Sequence, residues 1–402
     1  MYRHFLISIV GNLLKHYDTA LFGLLAPFLA PLFFHKEDPV TALLLTYAII
    51  PLGFLTKPLG ALFFGWIGDR FEKRVALIIS LTGMAISTAA IGFLPTSVEV
   101  GELAPFLLSC FRLLQSFFAA GETPGGALYL LENVPASKRT LAGSLFDTST
   151  IGGSLLASSL VMFFFESWRA LFWLGGSTAL LCLWIRCRKE LSPSLAPPPP
   201  VQLQSVDPAY KKNLVVIACM AGFSYATYSL SFPLMCGYIP LVTSLSKETM
   251  MRLNTYLTLF DFFLLPFFGL IAQKFGKEKV MMLSSLLLGL LILPLFSSLG
   301  PATTLTQVVI MRFIVVILGL AFAAPYHAFA LEQTPPQNRT TILCLGYTLG
   351  SQLIGAPTAA ISLWLYQKTG WTGAPALYLL PIALSVPIVL LLARKKSELT
   401  NA

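Results

Sequence analysis

Eight strongly charged side chains interrupt long apolar stretches of this sequence, and their signs balance. They are Lys15, Lys57, Arg112 and Arg312 among the bases, and Asp18, Glu122, Asp147 and Asp261 among the acids. A charge in apolar surroundings is costly to bury, so such residues usually pair with one another or carry function. Burial also disfavours the ionised form of a carboxylate, so these acids are candidates for proton exchange near neutral pH.

Spacing places several of these charges on one helical face. Arg112, Gln115, Ala119, Glu122 and Gly126 follow one another at steps of three or four residues. Residues at these steps lie on the same side of a helix. A guanidinium and a carboxylate would therefore share one polar face, about 15 Å apart along the axis at a helical rise of 1.5 Å per residue.

The elements that hold these charges are predicted membrane spans. Apolar residues make up 56% of the chain and charged residues 11%, with a mean hydropathy of +0.76. A soluble protein of this length does not show such a composition. A stretch of roughly 20 apolar residues crosses a bilayer as a helix. The sequence predicts twelve spans, near residues 5–34, 41–67, 75–95, 103–131, 140–165, 169–187, 212–242, 253–272, 280–298, 304–331, 340–366 and 372–393.

An internal repeat divides the chain into two halves. Residues 131–140, LENVPASKRT, return 200 positions later as residues 331–340, LEQTPPQNRT, and residues 63–71 return as 267–275. Such duplication is typical of secondary transporters, whose substrate site lies between the repeats. We predict an all-α membrane protein of two pseudo-symmetric six-helix bundles, residues 1–187 and 212–402. A proline-rich cytoplasmic linker, residues 188–211, would join them.

The loops differ in their content of basic residues. Most lysines and arginines fall in the loops of one predicted side, whereas the opposite loops hold only Lys36, Arg169, Lys247, Arg252 and Lys368. By the positive-inside rule both termini are cytoplasmic, and we place the protein in the plasma membrane, the inner membrane of a bacterium. This distribution accounts for the net charge of +9 without a nucleic-acid partner. The six cysteines lack metal-ligand spacing, so we expect no metal and no cofactor.

A glycine-bearing turn between the second and third spans predicts a gate. The residues assigned to gating are Gly65, Gly68, Asp69, Arg70 and Arg74. Glycines let helix ends approach closely, and an aspartate is stabilised against the positive end of a neighbouring helix. Basic residues can bind carboxylates across the interface. We expect these residues to hold the cytoplasmic side shut in one of two alternating states.

Most of the charges precede residue 188, so we expect proton handling in the first half. Lys15 and Asp18, three residues apart, form either a simple ion pair or a coupling pair. The residues assigned to proton coupling are Asp18, Glu122 and Asp147. Those assigned to substrate binding are Arg112, Gln115, Lys15, Lys57, Arg312 and Asp261. The sequence thus predicts a proton-coupled importer of a small polar organic metabolite, not an enzyme, working as a monomer in the lipid bilayer.

A set of short motifs runs through the first half. They are Gly11-Asn12 before Tyr17-Asp18, Pro58-Leu59-Gly60 before the turn at Gly65, Arg112-Leu113-Leu114-Gln115, Gly121-Glu122 with Gly125-Gly126, and Glu132, Pro135, Lys138-Arg139 and Asp147. These motifs resemble those of the major facilitator superfamily and, within it, the metabolite:proton symporters, which include proline/betaine, oxoglutarate, citrate and shikimate carriers. The resemblance implies the twelve-helix major facilitator fold, alternating access, and a carboxylate, amino acid or betaine as the substrate.

The chain departs from the family pattern at four residues of the first half. Lys15-His16 stands where the family has a Glu-Trp pair, Lys57 where it has arginine, and Glu72 where it has glycine. The resemblance therefore assigns no single substrate. Two alternatives remain at this point. One is an exchanger or efflux antiporter of the same fold, which would have a largely apolar cavity. The other is a transport-dead sensor, which would carry a long cytoplasmic domain.

Overall fold

The computed structural model describes residues 2–34, 38–70, 73–119, 127, 131, 134–187, 208–334 and 339–400. Within those ranges every regular element is a helix. The apolar sequence accounts for the helices. Lipid contains no water to form hydrogen bonds with backbone polar groups, whereas a helix satisfies these groups internally. The predicted all-α fold is confirmed.

The helices follow one another in two series. The first series is α1 (Tyr2–Phe33), α2 (Pro39–Arg70), α3 (Lys73–Ile91), α4 (Ser97–Val100), α5 (Leu103–Ala119), α6 (Arg139–Phe164) and α7 (Trp168–Cys187). The second series is α8 (Pro208–Ser229), α9 (Met235–Val242), α10 (Lys247–Phe275), α11 (Lys277–Ser297), α12 (Leu305–Ala323), α13 (Tyr326–Glu332), α14 (Arg339–Leu349), α15 (Thr358–Thr369) and α16 (Ala376–Thr400). Two π-helical segments, Leu230–Leu234 and Gly350–Gly355, follow α8 and α14.

Every predicted span overlaps one helix or one run of consecutive helices. The span predicted at 212–242, for example, is α8, the first π-helical segment and α9. Six stretches of the described chain are long and apolar enough to cross a membrane by length and composition. They are Pro39–Lys57, Ala136–Thr178, Lys211–Val242, Lys247–Phe275, Lys277–Ser297 and Leu305–Glu332.

The chain separates into two compact units. Unit 1 is Met1–Thr123 with Ser149–Pro199, and unit 2 is Pro124–Thr148 with Pro200–Ala402. In unit 1, α3 packs along α5 and α7, and α2 packs along α1 and α5. A β-carbon at Gly153 of α6 would lie 2.1 Å from the carbonyl oxygen of Leu13. Glycine is therefore needed there for α1 and α6 to approach backbone to backbone.

Unit 2 has a corresponding close approach. Its helix α8 packs against α14 and the π-helical segment Gly350–Gly355, while α11 packs along α12 and α16. A β-carbon at Gly350 would lie 2.0 Å from the carbonyl oxygen of Ala218 on α8. In both units a glycine therefore lets two helix backbones come into close contact.

The two units do not follow the predicted halves. Residues 124–148 group with unit 2, although the sequence places them in the first bundle. Close packing explains this, because a β-carbon at Gly269 of α10 would lie 2.3 Å from Ser144 Oγ, and one at Gly143 would lie 3.4 Å from His327 Cβ. The division into 1–187 and 212–402 stays a prediction, and most of the predicted linker lies outside the described residues.

Candidate functional site

Unit 1 contains a buried carboxylate, Asp18 on α1, which is 6% exposed. Its Oδ2 atom accepts hydrogen bonds from Thr88 Oγ1 at 3.1 Å and from Gln115 Nε2 at 2.6 Å. Thr88 lies on α3 and Gln115 on α5, so three helices converge on one acid. Buried carboxylates need such donors to remain ionised in a low-dielectric interior.

Gln115 joins this carboxylate to a guanidinium. Its Nε2 also donates to Thr88 Oγ1 at 2.7 Å, and its Oε1 accepts a hydrogen bond from Arg112 Nη1. The Arg112 guanidinium lies over the ring of Phe22, 4.2 Å from the ring centroid. The amide of Gln115 is therefore placed between the positive charge of Arg112 and the negative charge of Asp18.

One oxygen of Asp18 has no hydrogen-bond partner among the described residues. This atom, Oδ1, is buried. A β-carbon at Gly175 on α7 would lie 3.3 Å from it, so the glycine leaves this oxygen uncrowded. The Oδ1 atom can therefore take a proton without displacing a hydrogen-bond donor, since Oδ2 keeps the bonds to Thr88 and Gln115.

The structure brings Asp18, which was predicted for proton coupling, together with Arg112 and Gln115, which were predicted for substrate binding. It adds Thr88, which the sequence reasoning missed. The only signal was that Ser87 and Thr88 are adjacent hydroxyl residues on the third apolar span. The side chain of Lys15 and all of Glu122 lie outside the described residues, so the Lys15–Asp18 pair and the Arg112–Glu122 face stay predictions.

Unit 2 contains two further acids of interest. Asp147 Oδ1 on α6 lies 2.9 Å from His327 Nε2 on α13, and the two side chains are 18% and 21% exposed. Asp261 on α10 is 5% exposed, and its Oδ1 atom has no hydrogen-bond partner among the described residues. Asp147 was predicted to act with the charges of the first half, but in the structure it pairs with His327 of unit 2. His327 was not predicted, because a lone histidine in an apolar span carries no pattern.

Arg312 on α12 is fully buried and has only uncharged partners among the described residues. Its Nη2 donates to Ser231 O at 2.9 Å and to Asn254 Oδ1 at 2.5 Å, and its Nη1 donates to Met250 O at 3.4 Å. The structure therefore surrounds the Arg312 guanidinium with neutral acceptors. Contact between Arg312 and the substrate stays a prediction, and it would require these hydrogen bonds to break.

The remaining predicted residues lie on the second and third helices. Lys57 is a half-buried residue of α2. The gating residues Gly65, Gly68, Asp69 and Arg70 form the end of α2, and Arg74 lies in the first turn of α3. The side chains of Asp69, Arg70 and Arg74 and the surroundings of both glycines lie outside the described part of the structure, so the gate stays a prediction.

Known proteins resemble this chain in sequence. The family model of the Major Facilitator Superfamily matches residues 17–241 and 214–402. A putative proline/betaine transporter of Staphylococcus aureus (strain COL) is 29% identical over 402 residues, covering 93% of this chain and 84% of the relative. The proline/betaine transporter of Escherichia coli (strain K12) is 25% identical over 399 residues, covering 93% and 79%.

Solved structures resemble the chain in fold. The crystal structure of a D-xylose-proton symporter matches with a TM-score of 0.70 and 16% identity, covering 96% of this chain and 97% of that one. A human organic anion transporter matches with a TM-score of 0.66 and 14% identity, covering 97% and 99%. These structures agree with the predicted all-α major facilitator fold, and the family model confirms the family resemblance.

Proposed function

Because this chain belongs to the Major Facilitator Superfamily, we propose that it imports a small polar organic metabolite together with protons by alternating access. The chain is a membrane transporter. Proton coupling, the direction of transport and the substrate class are the proposed parts. In this proposal the protein works as a monomer in the bacterial inner membrane, with both termini in the cytoplasm.

The observation that carries the proposal is the buried Asp18 network of unit 1. One oxygen of Asp18 accepts two hydrogen bonds and the other accepts none from the described residues. An ionisable group in a membrane span is a functional candidate by default. Asp18 has the geometry of a site that binds and releases one proton, because the partners that hold its Oδ2 atom do not block Oδ1.

Arg112 supplies the link between proton and substrate. Arg112 is half-buried as a residue, and its guanidinium is bonded to Gln115, which is bonded in turn to Asp18. Protonation of Asp18 removes the negative charge that balances Arg112 through Gln115, and this frees the guanidinium to bind an anionic group. A carboxylate is the natural partner, since a guanidinium binds it through two parallel hydrogen bonds. Proton binding would then favour substrate binding, as symport requires.

The substrate class follows from the charge and from the names of the relatives. A carboxylate-bearing solute fits Arg112, and the two relatives above are named proline/betaine transporters. Proline and betaine each carry one carboxylate and one positively charged nitrogen. We therefore place amino acids and betaines ahead of simple carboxylates among the candidates.

The experiment is uptake of labelled proline, glycine betaine and citrate into proteoliposomes under an imposed inward proton gradient. We expect Asp18→Asn to abolish accumulation against a concentration gradient while exchange of internal for external solute continues. Glu99→Gln, which removes an exposed acid of the same unit, is the matched control. Accumulation that persists in Asp18→Asn and still collapses with an uncoupler would refute the role of Asp18. Solute efflux driven by proton entry would instead identify an antiporter.

A further inference from the structure

The guanidinium of Arg312 in unit 2 carries a positive charge that no acid of the described residues pairs with. Its hydrogen bonds lead to three neutral oxygens, Ser231 O, Asn254 Oδ1 and Met250 O. A weaker contact joins Nη2 to Cys236 Sγ at 4.0 Å. Arg312 is fully buried, in a stretch that is long and apolar enough to cross a membrane. A charge in such surroundings is costly unless a charge of opposite sign accompanies it.

Two polar groups beside this charge have no hydrogen-bond partner among the described residues. They are Nε of Arg312 and the hydroxyl of Ser231, which is 1% exposed. Buried hydroxyls on helices usually donate to a carbonyl oxygen of the preceding turn, as those of Thr227 and Ser285 do at 2.8 and 3.0 Å. Ser231 lies in the π-helical segment Leu230–Leu234, and such segments are frequent at functional sites. Both groups can donate, so an acceptor with a negative charge would satisfy them.

The existing bonds of Arg312 favour a single-atom anion over a carboxylate. A carboxylate binds a guanidinium through two parallel hydrogen bonds, and either such pair needs a hydrogen of Nη2. Both hydrogens of Nη2 are already used, by Ser231 O and Asn254 Oδ1. A halide ion needs no second parallel bond, so it can accept from Nε and from the Ser231 hydroxyl while the present bonds remain.

The guanidinium lies near one end of the helices that surround it. Arg312 is two turns from the start of α12, and Met250 lies in the first turn of α10. The two loops at these helix ends, residues 243–246 and 298–304, contain no acid that could pair with the guanidinium. The path from the start of α12 is about 10 Å at a rise of 1.5 Å per residue. An ion from solution can therefore reach the site when these helix ends separate locally.

We propose that Arg312 and Ser231 form a binding site for a small inorganic anion, a halide such as chloride, in unit 2. The anion balances the guanidinium and accepts one hydrogen bond from Arg312 Nε and one from Ser231 Oγ. This site is separate from the Asp18 network of unit 1. It goes beyond the proposed function, since it requires neither proton coupling nor a particular solute.

The test is thermal melting of the purified full-length protein in detergent at constant pH and ionic strength. Sodium gluconate, whose anion is too bulky for a fully buried site, is replaced stepwise by sodium chloride or, in a second series, by sodium acetate. An anion that binds the folded protein raises its melting temperature. We expect a saturating rise with chloride, of at least about 2 °C at ten times the dissociation constant. Acetate should give a smaller rise or none.

Two variants separate the site from general salt effects. Ser231→Ala removes a hydroxyl that bonds to no described residue, so it should fold as the wild type does. It should raise the chloride concentration at half of the rise by about tenfold, because a hydrogen bond to the anion is lost. Arg312→Gln removes the charge and should abolish the rise. Ser285→Ala, at a buried serine of the same unit that bonds to its own helix, is the matched control and should keep the wild-type chloride response.

Several results would overturn the inference. The first is a wild-type melting temperature that does not depend on chloride, or that rises more with acetate than with chloride. The second is an unchanged chloride response in Ser231→Ala. The wild-type series and Ser231→Ala decide the matter even where Arg312→Gln does not fold. Proton-driven uptake is not measured in these experiments, so the outcome for the anion site is independent of the outcome for the proposed transport.

Discussion

Arginine-to-lysine substitutions at the two repeat-related positions should have different consequences. We expect Arg112→Lys to impair transport while leaving the protein folded, and Arg312→Lys to destabilise unit 2. The reason is their exposure: Arg112 is half-buried and bonded to the Asp18 network, whereas Arg312 is fully buried among neutral acceptors. Lysine keeps the charge in both cases but lacks the planar group of arginine.

The expected sizes follow from the contacts. At Arg112 the substitution removes the stacking on Phe22 and the bond to Gln115. Stacking contributes about 0.5–2 kcal/mol and a hydrogen bond from a charged donor about 1.5–3 kcal/mol. Together they amount to about 2–5 kcal/mol, which is roughly a 30-fold or greater loss in uptake efficiency if transport depends on both.

At Arg312 the loss should appear as reduced stability. Nη2 alone makes two hydrogen bonds, to Ser231 O and Asn254 Oδ1. The single ammonium group of a lysine side chain cannot make both bonds in the same geometry. Losing two charged hydrogen bonds costs about 3–6 kcal/mol, a large part of a typical unfolding free energy of about 5–15 kcal/mol. The melting temperature should fall by roughly 6–24 °C, at about 2–4 °C per kcal/mol.

Melting in detergent and uptake in proteoliposomes, measured on the same preparations, separate the two effects. Arg252→Lys, at an exposed position of α10, is the matched control and should change neither quantity. Wild-type transport by Arg112→Lys, or melting of Arg112→Lys as early as that of Arg312→Lys, would contradict the different roles expected of the two arginines. Wild-type melting of Arg312→Lys would contradict them equally.

Three further substitutions test packing and gating. Gly350→Ala should lower the melting temperature, because its β-carbon would lie 2.0 Å from a backbone oxygen of α8; overpacking of this kind typically costs about 1–3 kcal/mol. Gly300→Ala, with no atom within 4 Å of the new carbon, is its control, and equal melting of the two would contradict the packing argument. Lys277→Gln removes the ion pair with Glu332, which is 41% exposed, and should cost no more than about 1 kcal/mol; a melting shift above about 4 °C would contradict this. Asp69→Asn, expected to weaken the predicted gate by about 0.3–2 kcal/mol, should shift labelling of single cysteines toward the inward-open state; a labelling ratio equal to that of the parent would refute the gate.

The sequence was sufficient to predict the spans because they depend on a local property. A run of apolar residues must form a helix in lipid whatever its neighbours are, so each of the twelve predicted spans overlaps helices of the structure. The polar face of α5 was predictable for the same reason, since Arg112 and Gln115 are three residues apart on one helix. Their hydrogen bond confirms that part of the prediction.

The pairing of Asp147 with His327 in unit 2 could not be predicted because it depends on a contact between distant parts of the chain. His327 and Asp147 are 180 positions apart, and no periodicity within one helix relates them. The grouping of residues 124–148 with unit 2 has the same origin. It depends on small residues, Gly143 and Gly269, that let α6 approach its neighbours, and a glycine in an apolar run does not indicate which helix it will face.

The two arginines show what an internal repeat predicts and what it does not. Arg112 and Arg312 occupy corresponding positions 200 residues apart in the repeat, and each lies on a helix of its own unit. Their partners differ, because Gln115 connects Arg112 to an acid while Asn254 and two backbone carbonyls surround Arg312. The duplicated chain keeps the helix and the basic residue, but one or two neighbouring side chains decide the chemistry. Architecture therefore follows the repeat, whereas the assignment of proton and substrate sites requires the three-dimensional contacts within each unit.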